Sequence, residues 1–227
     1  MFGVYRSIPL LLLSCTAVAA QTTSVPSVQA TGSASIVVKP DQAQLEVGVI
    51  TNGSTAQDAA QQNASLSSTV QTALSKVLGP TGTMQTVHYS IYPRYSNNPG
   101  QTSVVIGYTA SNTVRVTTID LSQVGLLIDT ASQAGANSVS GIAFGLQSPE
   151  PLVQQALTQA TKQAMANAAA IAAGLGGKAG AVLSAQQGSS YTPIVVAGAA
   201  AGATTTPVQT GTVTIYANVT VQVALTQ

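Results

Sequence analysis

From Thr212 to Leu225 the chain alternates without a break. Val213, Ile215, Ala217, Val219, Val221, Val223 and Leu225 fall on one face of an extended strand; Thr212, Thr214, Tyr216, Asn218, Thr220 and Gln222 fall on the other. A strand of this length with one apolar face must lie in a sheet that is packed on one side and wet on the other. The rest of the sequence therefore has to supply partner strands and a cover for that apolar face. Partners are easy to find. Ala34, Ile36 and Val38 alternate with Ser33, Ser35, Val37 and Lys39, and after Pro40-Asp41 the pattern resumes with Ala43, Leu45, Val47 and Val49. Residues 38–42 read as a tight connection between two antiparallel partners. Further strands are expected over 84–95 and 104–117, joined by the polar turn 96–100, and over 138–146 and 181–186.

Helical periodicity supplies the cover. Over 55–78, Ala56, Ala59, Asn63, Leu66, Val70, Ala73, Leu74, Val77 and Leu78 share one stripe, Thr55 and Asp58 approximate a capping box, and Gly79-Pro80 ends the run. A second helix starts at Asp120, a good N-cap, carries Leu121, Val124, Leu127, Ile128, Ala131 and Ala134 on one face, and stops at Gly135. A third runs over about 151–175 ahead of Gly176-Gly177. On it Ala156, Ala160, Ala164, Ala168 and Ala172 recur at every fourth position, a ridge of methyl groups that lets another backbone approach closely. That ridge fits either the protein's own sheet or first helix, or a contact between subunits. The order β-β-α-β-β-α-β-α-β-β implies an α+β fold, with helices packed on one face of antiparallel or mixed sheets.

The N-terminal segment has the form of an export signal: Arg6, an apolar stretch at 8–13, and small residues ending in Val18-Ala19-Ala20 before Gln21. Removing 20 of the 227 residues leaves 207, with six basic and six acidic side chains and no cysteine, since Cys15 lies in the leader. The alternative is that Leu12-Leu13-Ser14-Cys15 acts as a lipoprotein signal and Cys15 becomes a lipid anchor. Residues 21–30 read as a tether, 31–227 as one domain, and 188–207, rich in Ala, Gly and Thr, as a long loop. No apolar run after the leader reaches the ~20 residues that a spanning helix needs. Charged residues are 6% of the chain. Basic residues occur singly, which argues against nucleic-acid binding, and a net charge near zero favours self-association.

Few side chains are equipped for chemistry. His88 is the single histidine, and no second histidine or mature cysteine joins it, so no metal site is expected. Asp41 follows Pro40 at a turn and Asp120 caps a helix, which explains both as structural; with Asp129 they form no evident acid-base pair. No Gly-x-Ser-x-Gly elbow is present, and Gly176-Gly177 follows a helix rather than opening one, so neither a triad nor a phosphate cradle is read. Asn52, Asn63 and Asn218 head Asn-x-Ser/Thr triplets that are chance matches in a bacterial-looking exported chain. Tyr89, Tyr92, Tyr95 and Tyr108 cluster on the two central strands, as cross-strand packing or as a ligand-binding row. The expectation is no catalytic residue, no cofactor and no metal.

Several stretches together resemble the SIMPL domain family of bacterial periplasmic proteins. They are residues 32–43 (GSASIVVKPDQA), 55–63 (TAQDAAQQN), 92–95 (YPRY), 107–116 (GYTASNTVRV), Asp120-Leu121, Gly135-Ala136-Asn137 and the final strand. The resemblance implies an exported α+β protein of the periplasm or outer membrane, without an established catalytic site and linked to oxidative-stress tolerance. In some members it implies a ring-like or channel-like homo-oligomer, here with an envelope protein as a possible further partner. This chain departs from the family on its third helix, where Lys162 is the sole charged residue over 154–173.

Overall fold

The computed structural model describes residues 25–96, 102–188, 194–196, 206 and 208–227. The expectations for the leader, Cys15, residues 21–24 and most of 188–207 lie outside the described residues. In chain order the elements are β1 (Ser27–Val38), β2 (Gln42–Gly53), α1 (Ala56–Leu78), β3 (Thr83–Tyr95), β4 (Val105–Thr118), a 3-10 turn (Leu121–Gln123) leading into α2 (Val124–Gln133), β5 (Ser138–Gly145), α3 (Glu150–Gly174), β6 (Lys178–Gln187), β7 (Ile194–Val196) and β8 (Thr212–Thr226). The strands form two sheets, and every pairing is antiparallel. One sheet has the order β1-β8-β6, with the short β7 also on β8; the other has the order β3-β4-β2-β5.

The long alternating strand β8 lies at the centre of the first sheet. Its odd-numbered residues from Val213 to Val223 are buried, and α3 lies across them. All five alanines of the ridge are fully buried there, against β8 and against Val28 and Ala30 of β1. The ridge is therefore an internal contact between helix and sheet, which decides between the two alternatives open at sequence level. Its closest point is Gly32, where an added Cβ would overlap the carbonyl oxygen of Ala160 and the amide nitrogen of Ala164. Glycine on the strand and alanine on the helix let two backbones meet.

The second sheet is covered by α1 and α2. Val70, Leu74 and Leu78 of α1, with Leu127 and Ala131 of α2, pack on Leu45, Val47 and Val49 of β2 and on Val114 and Val116 of β4. A small third cluster of Ala43, Val124 and Phe144 lies at the end of this sheet, and Val208, on the approach to β8, packs against it. The caps follow the sequence. Thr55 Oγ1 accepts from the Asp58 amide, and Asp120 accepts from the Ser122 amide at 3.1 Å.

Several expectations need correction. β1 and β2 are not partners: β1 pairs with β8, and β2 lies between β4 and β5. Lys39-Pro40-Asp41 is a crossover between sheets. Pro40 has no amide hydrogen to pair, the Asp41 amide donates to Gly145 O, and Asp41 Oδ1 accepts from the Gln147 amide at 2.7 Å, which fixes the crossover onto the end of β5. Alternation specifies which face is buried, not which strand lies alongside. The tether also ends earlier than 30, because Ser27–Ala30 belong to β1 with Val28 and Ala30 buried. Only two small apolar residues marked that stretch as a strand. Finally, Ile194–Val196 within the expected loop form β7, so the order gains one strand.

Candidate functional site

The six carboxylates of the chain are dispersed. Asp41 ties the crossover, Asp120 caps a turn, and Asp129 accepts from Thr206 Oγ1 at 2.6 Å and from its amide at 3.3 Å, pinning the segment before β8 onto α2. Glu46 pairs with Arg115 at 2.8 Å across β2 and β4. Asp58 is held below the usual carboxylate range by hydrogen bonds from the Ser54 hydroxyl first, then from the Thr55 hydroxyl. Glu150 opens α3. Among the described residues no three His, Cys, Asp or Glu side chains come together as a metal site would require. His88 lies on β3 with Nε2 3.0 Å from Ser90 Oγ, apart from every carboxylate pairing named above.

The buried polar groups are structural knots that periodicity could place but not explain. Asn63 of α1 is fully buried. Its Nδ2 donates to Val49 O at 2.7 Å and to Ala110 O at 3.1 Å, and its Oδ1 accepts from Ser67 Oγ at 3.3 Å. One side chain thus clamps the helix to β2 and β4 together. Asn137 does similar work at the sheet edge. Its Oδ1 accepts from the Ile50 amide at 2.8 Å, and its Nδ2 donates to Ile50 O at 2.7 Å, extending the ladder ahead of Ser138, where β5 begins. Beside the first knot is a small cleft of about 10 Å³ between α1 and the sheet, lined by Val47, Ser67, Val70 and Asn112 among others, too small for any organic ligand.

One feature that the packing of the described residues leaves unexplained is the outer end of the β3-β4 ribbon. β2 ends at Gly53, opposite Tyr108, so among the described residues β4 before Gly107 and its partners on β3 have no third strand. On or next to this projecting end, Tyr95 is 56% exposed, Val104 61% and Ile106 58%, with Tyr92 and Val105 also exposed. Arg94 is the charged residue among them. The tyrosines do not form one row. Tyr89 lies opposite Asn112 and Tyr92 opposite Thr109, an odd spacing within one register, so they project from opposite faces. Tyr108 is partly buried opposite Pro93. Pro93 and shifts of register at 86–88 and 94–95 interrupt the backbone edge of β3.

The 26 kDa periplasmic immunogenic proteins of Brucella melitensis and Brucella abortus are each 26% identical to this chain over 161 residues. Each match takes in 68% of this chain and 64% of the relative's length. Among solved structures, AtUAH in complex with glyoxylate aligns with 58% of this chain and 34% of its own at a TM-score of 0.30 and 12% identity. A hydantoinase/carbamoylase family amidase from Burkholderia ambifaria aligns with 59% and 34% at 0.23 and 18% identity. At those scores neither structure bears on fold or activity. The model of the SIMPL family, a protein of unknown function (DUF541), matches residues 28–223, from β1 to near the end of β8. The chain belongs to the SIMPL family.

Proposed function

We propose that this is an exported, non-catalytic protein of the periplasm or outer membrane that acts by assembling with copies of itself. Export is supported by the form of residues 1–20 and by the periplasmic relatives. Among the described residues no helix is long and apolar enough to cross a membrane, which fits residence beside the membrane but leaves strands out of account. A non-catalytic role is supported by the way the carboxylates are distributed among caps, the crossover and a surface ion pair. A link to oxidative-stress tolerance remains what family membership suggests, and it is part of the proposal on that ground.

The single observation that carries assembly is the apolar end of the β3-β4 ribbon. Two strands alone are marginal in water, and this end exposes large side chains with one charge among them. Including Tyr89 and Ile91, the ribbon offers seven exposed apolar or aromatic residues. At roughly 100 Å² apiece they present ~700 Å² divided between the two faces of the ribbon, so one face supplies about half of the ~800 Å² per partner of a standard interface and a partner has to wrap the ribbon to cover the rest. Pro93 and the two register shifts break the edge ladder, so association proceeds by packing side chains rather than by adding strand to strand.

The test is a double variant, Tyr95→Lys with Ile106→Lys, compared with the parent by light scattering. Both side chains are exposed in the monomer, so the variant should melt at the parent temperature while its mass falls to one chain. A variant that keeps the parent's assembled mass would eliminate the ribbon as the contact.

A further inference from the structure

The two sheets present different surfaces to solvent. On the second, Glu46, Arg115 and His88 are scattered among hydroxyls. On the first, the face turned away from α3 has no Asp, Glu, Lys, Arg or His at any position of β1 from Ser27 to Val37 or of β8 from Thr212 to Ala224. Over β1 and β8 it is made almost wholly of Ser, Thr, Asn and Gln around one tyrosine, with the exposed Val37 at its margin. Towards the β6 end these side chains bond to one another: Thr31 Oγ1 and Thr220 Oγ1 are 3.2 Å apart, and Gln222 Nε2 donates to Ser27 Oγ at 2.8 Å. At the centre they do not. Tyr216, 50% exposed, lies beside Ser35, and Asn218 lies beside Ser33, and the four side chains have no hydrogen-bond partner among the described residues.

We propose that this central patch binds a strand of uncharged polysaccharide. With strands ~4.8 Å apart and alternate residues ~6.8 Å apart, a phenol, an amide and two hydroxyls occupy an area about the size of one sugar ring. The asparagine amide both donates and accepts and so can grip neighbouring sugar hydroxyls, while the tyrosine ring offers an apolar face to the C–H side of a pyranose. Through the patch the backbone of β8 is paired with β1, so recognition on that side falls to side chains.

Charge selects this occupant. A nucleic acid or an anionic headgroup would find no cation in the central patch, since Lys178, opposite Thr226 on β6, and Lys39, beyond the end of β1, lie at the margins of the sheet. A protein partner would bury a surface rich in serine and threonine with one aromatic residue, whereas interface cores are rich in aromatics, Met and Arg. A neutral polyol matches the hydroxyls and amides without requiring a counter-charge. The patch is on the opposite sheet from the β3-β4 ribbon and is independent of assembly.

The experiment uses the mature chain with cellohexaose, laminarihexaose and maltohexaose as probes, followed by amide chemical shifts. At least one probe should shift resonances confined to β1 and β8. Tyr216→Ala should weaken that binding at least about tenfold and leave the melting temperature unchanged, because the ring is half-exposed. No response to any probe at millimolar concentration, shifts elsewhere on the molecule, or equal binding by the Tyr216→Ala protein would each overturn the proposal. A fall in assembled mass on Tyr216→Ala, with no sugar binding by the parent, would show the patch to be a contact between copies and would overturn it too.

Discussion

Replacing Gly32 by alanine adds a single methyl group at the tightest point of the first sheet. The new Cβ would overlap Ala160 O and Ala164 N and lie 2.9 Å from Ala164 Cα. All three are backbone atoms of a helix, so no side chain can rotate aside to make room. α3 would have to lift from β1 by about an ångström, loosening the five buried alanines and the β8 residues beneath them. Overpacking of this kind costs ~1–3 kcal/mol, and the upper end applies because the obstruction is backbone. The smaller freedom of alanine in the unfolded chain returns ~0.4–1 kcal/mol. The net loss is about 2 kcal/mol, which in a domain of this size lowers Tm by roughly 4–8 °C. Urea unfolding followed by circular dichroism should show a lower midpoint with an unchanged slope. Gly174→Ala is the internal control, because a Cβ at that position meets nothing within 4 Å; it should be neutral or raise Tm slightly. A Gly32→Ala protein as stable as the parent would refute the close helix-strand contact.

Three further outcomes follow from the same packing. Ala164→Glu places a carboxylate at a fully buried position facing β1, so the monomer itself should fail to fold cooperatively, and a folded, dissociated monomer would contradict the internal assignment of the ridge. Asn63→Leu strips the clamp from Val49 O and Ala110 O and should cost ~2–4 kcal/mol in denaturant unfolding; a loss under ~0.5 kcal/mol would show those carbonyls to be satisfied otherwise. The depressed carboxyl of Asp58 stabilises the fold above its unfolded value of 3.8, and that contribution fades as pH falls below 3.8 through the lower folded value. Asp58→Asn should therefore flatten the acid limb of the stability curve, and an unchanged limb would count against the cap.

Much of this fold can be read from the residues, and the failures have identifiable causes. The alternation from Val213 to Leu225 forecasts β8 closely, because every odd position is apolar and every even position but Ala224 polar. The helices are equally legible from Thr55, Asp120 and the glycines that follow them. Strand pairing is not. Residues 33–49 read the same whether Pro40 is a hairpin turn or a crossover, and the deciding contacts, from the Asp41 amide to Gly145 O and from the Gln147 amide to Asp41 Oδ1, join residues over a hundred positions apart. The alanine ridge was visible, but its partner depended on Gly32, which carries no side-chain signal. At the candidate sites, periodicity put Asn63 on the buried stripe of α1 without showing the two carbonyls it serves. The tyrosines were visible, but their division between faces depends on register.

The most direct test of the central claim is the mass of the mature protein in solution, measured by light scattering from low to high micromolar concentration. Assembly through the β3-β4 ribbon predicts a discrete multiple of the chain mass, closed by symmetry and constant over the upper part of that range. A single-chain mass throughout would contradict the account and leave the ribbon's exposed tyrosine, valine and isoleucine side chains without a self-partner.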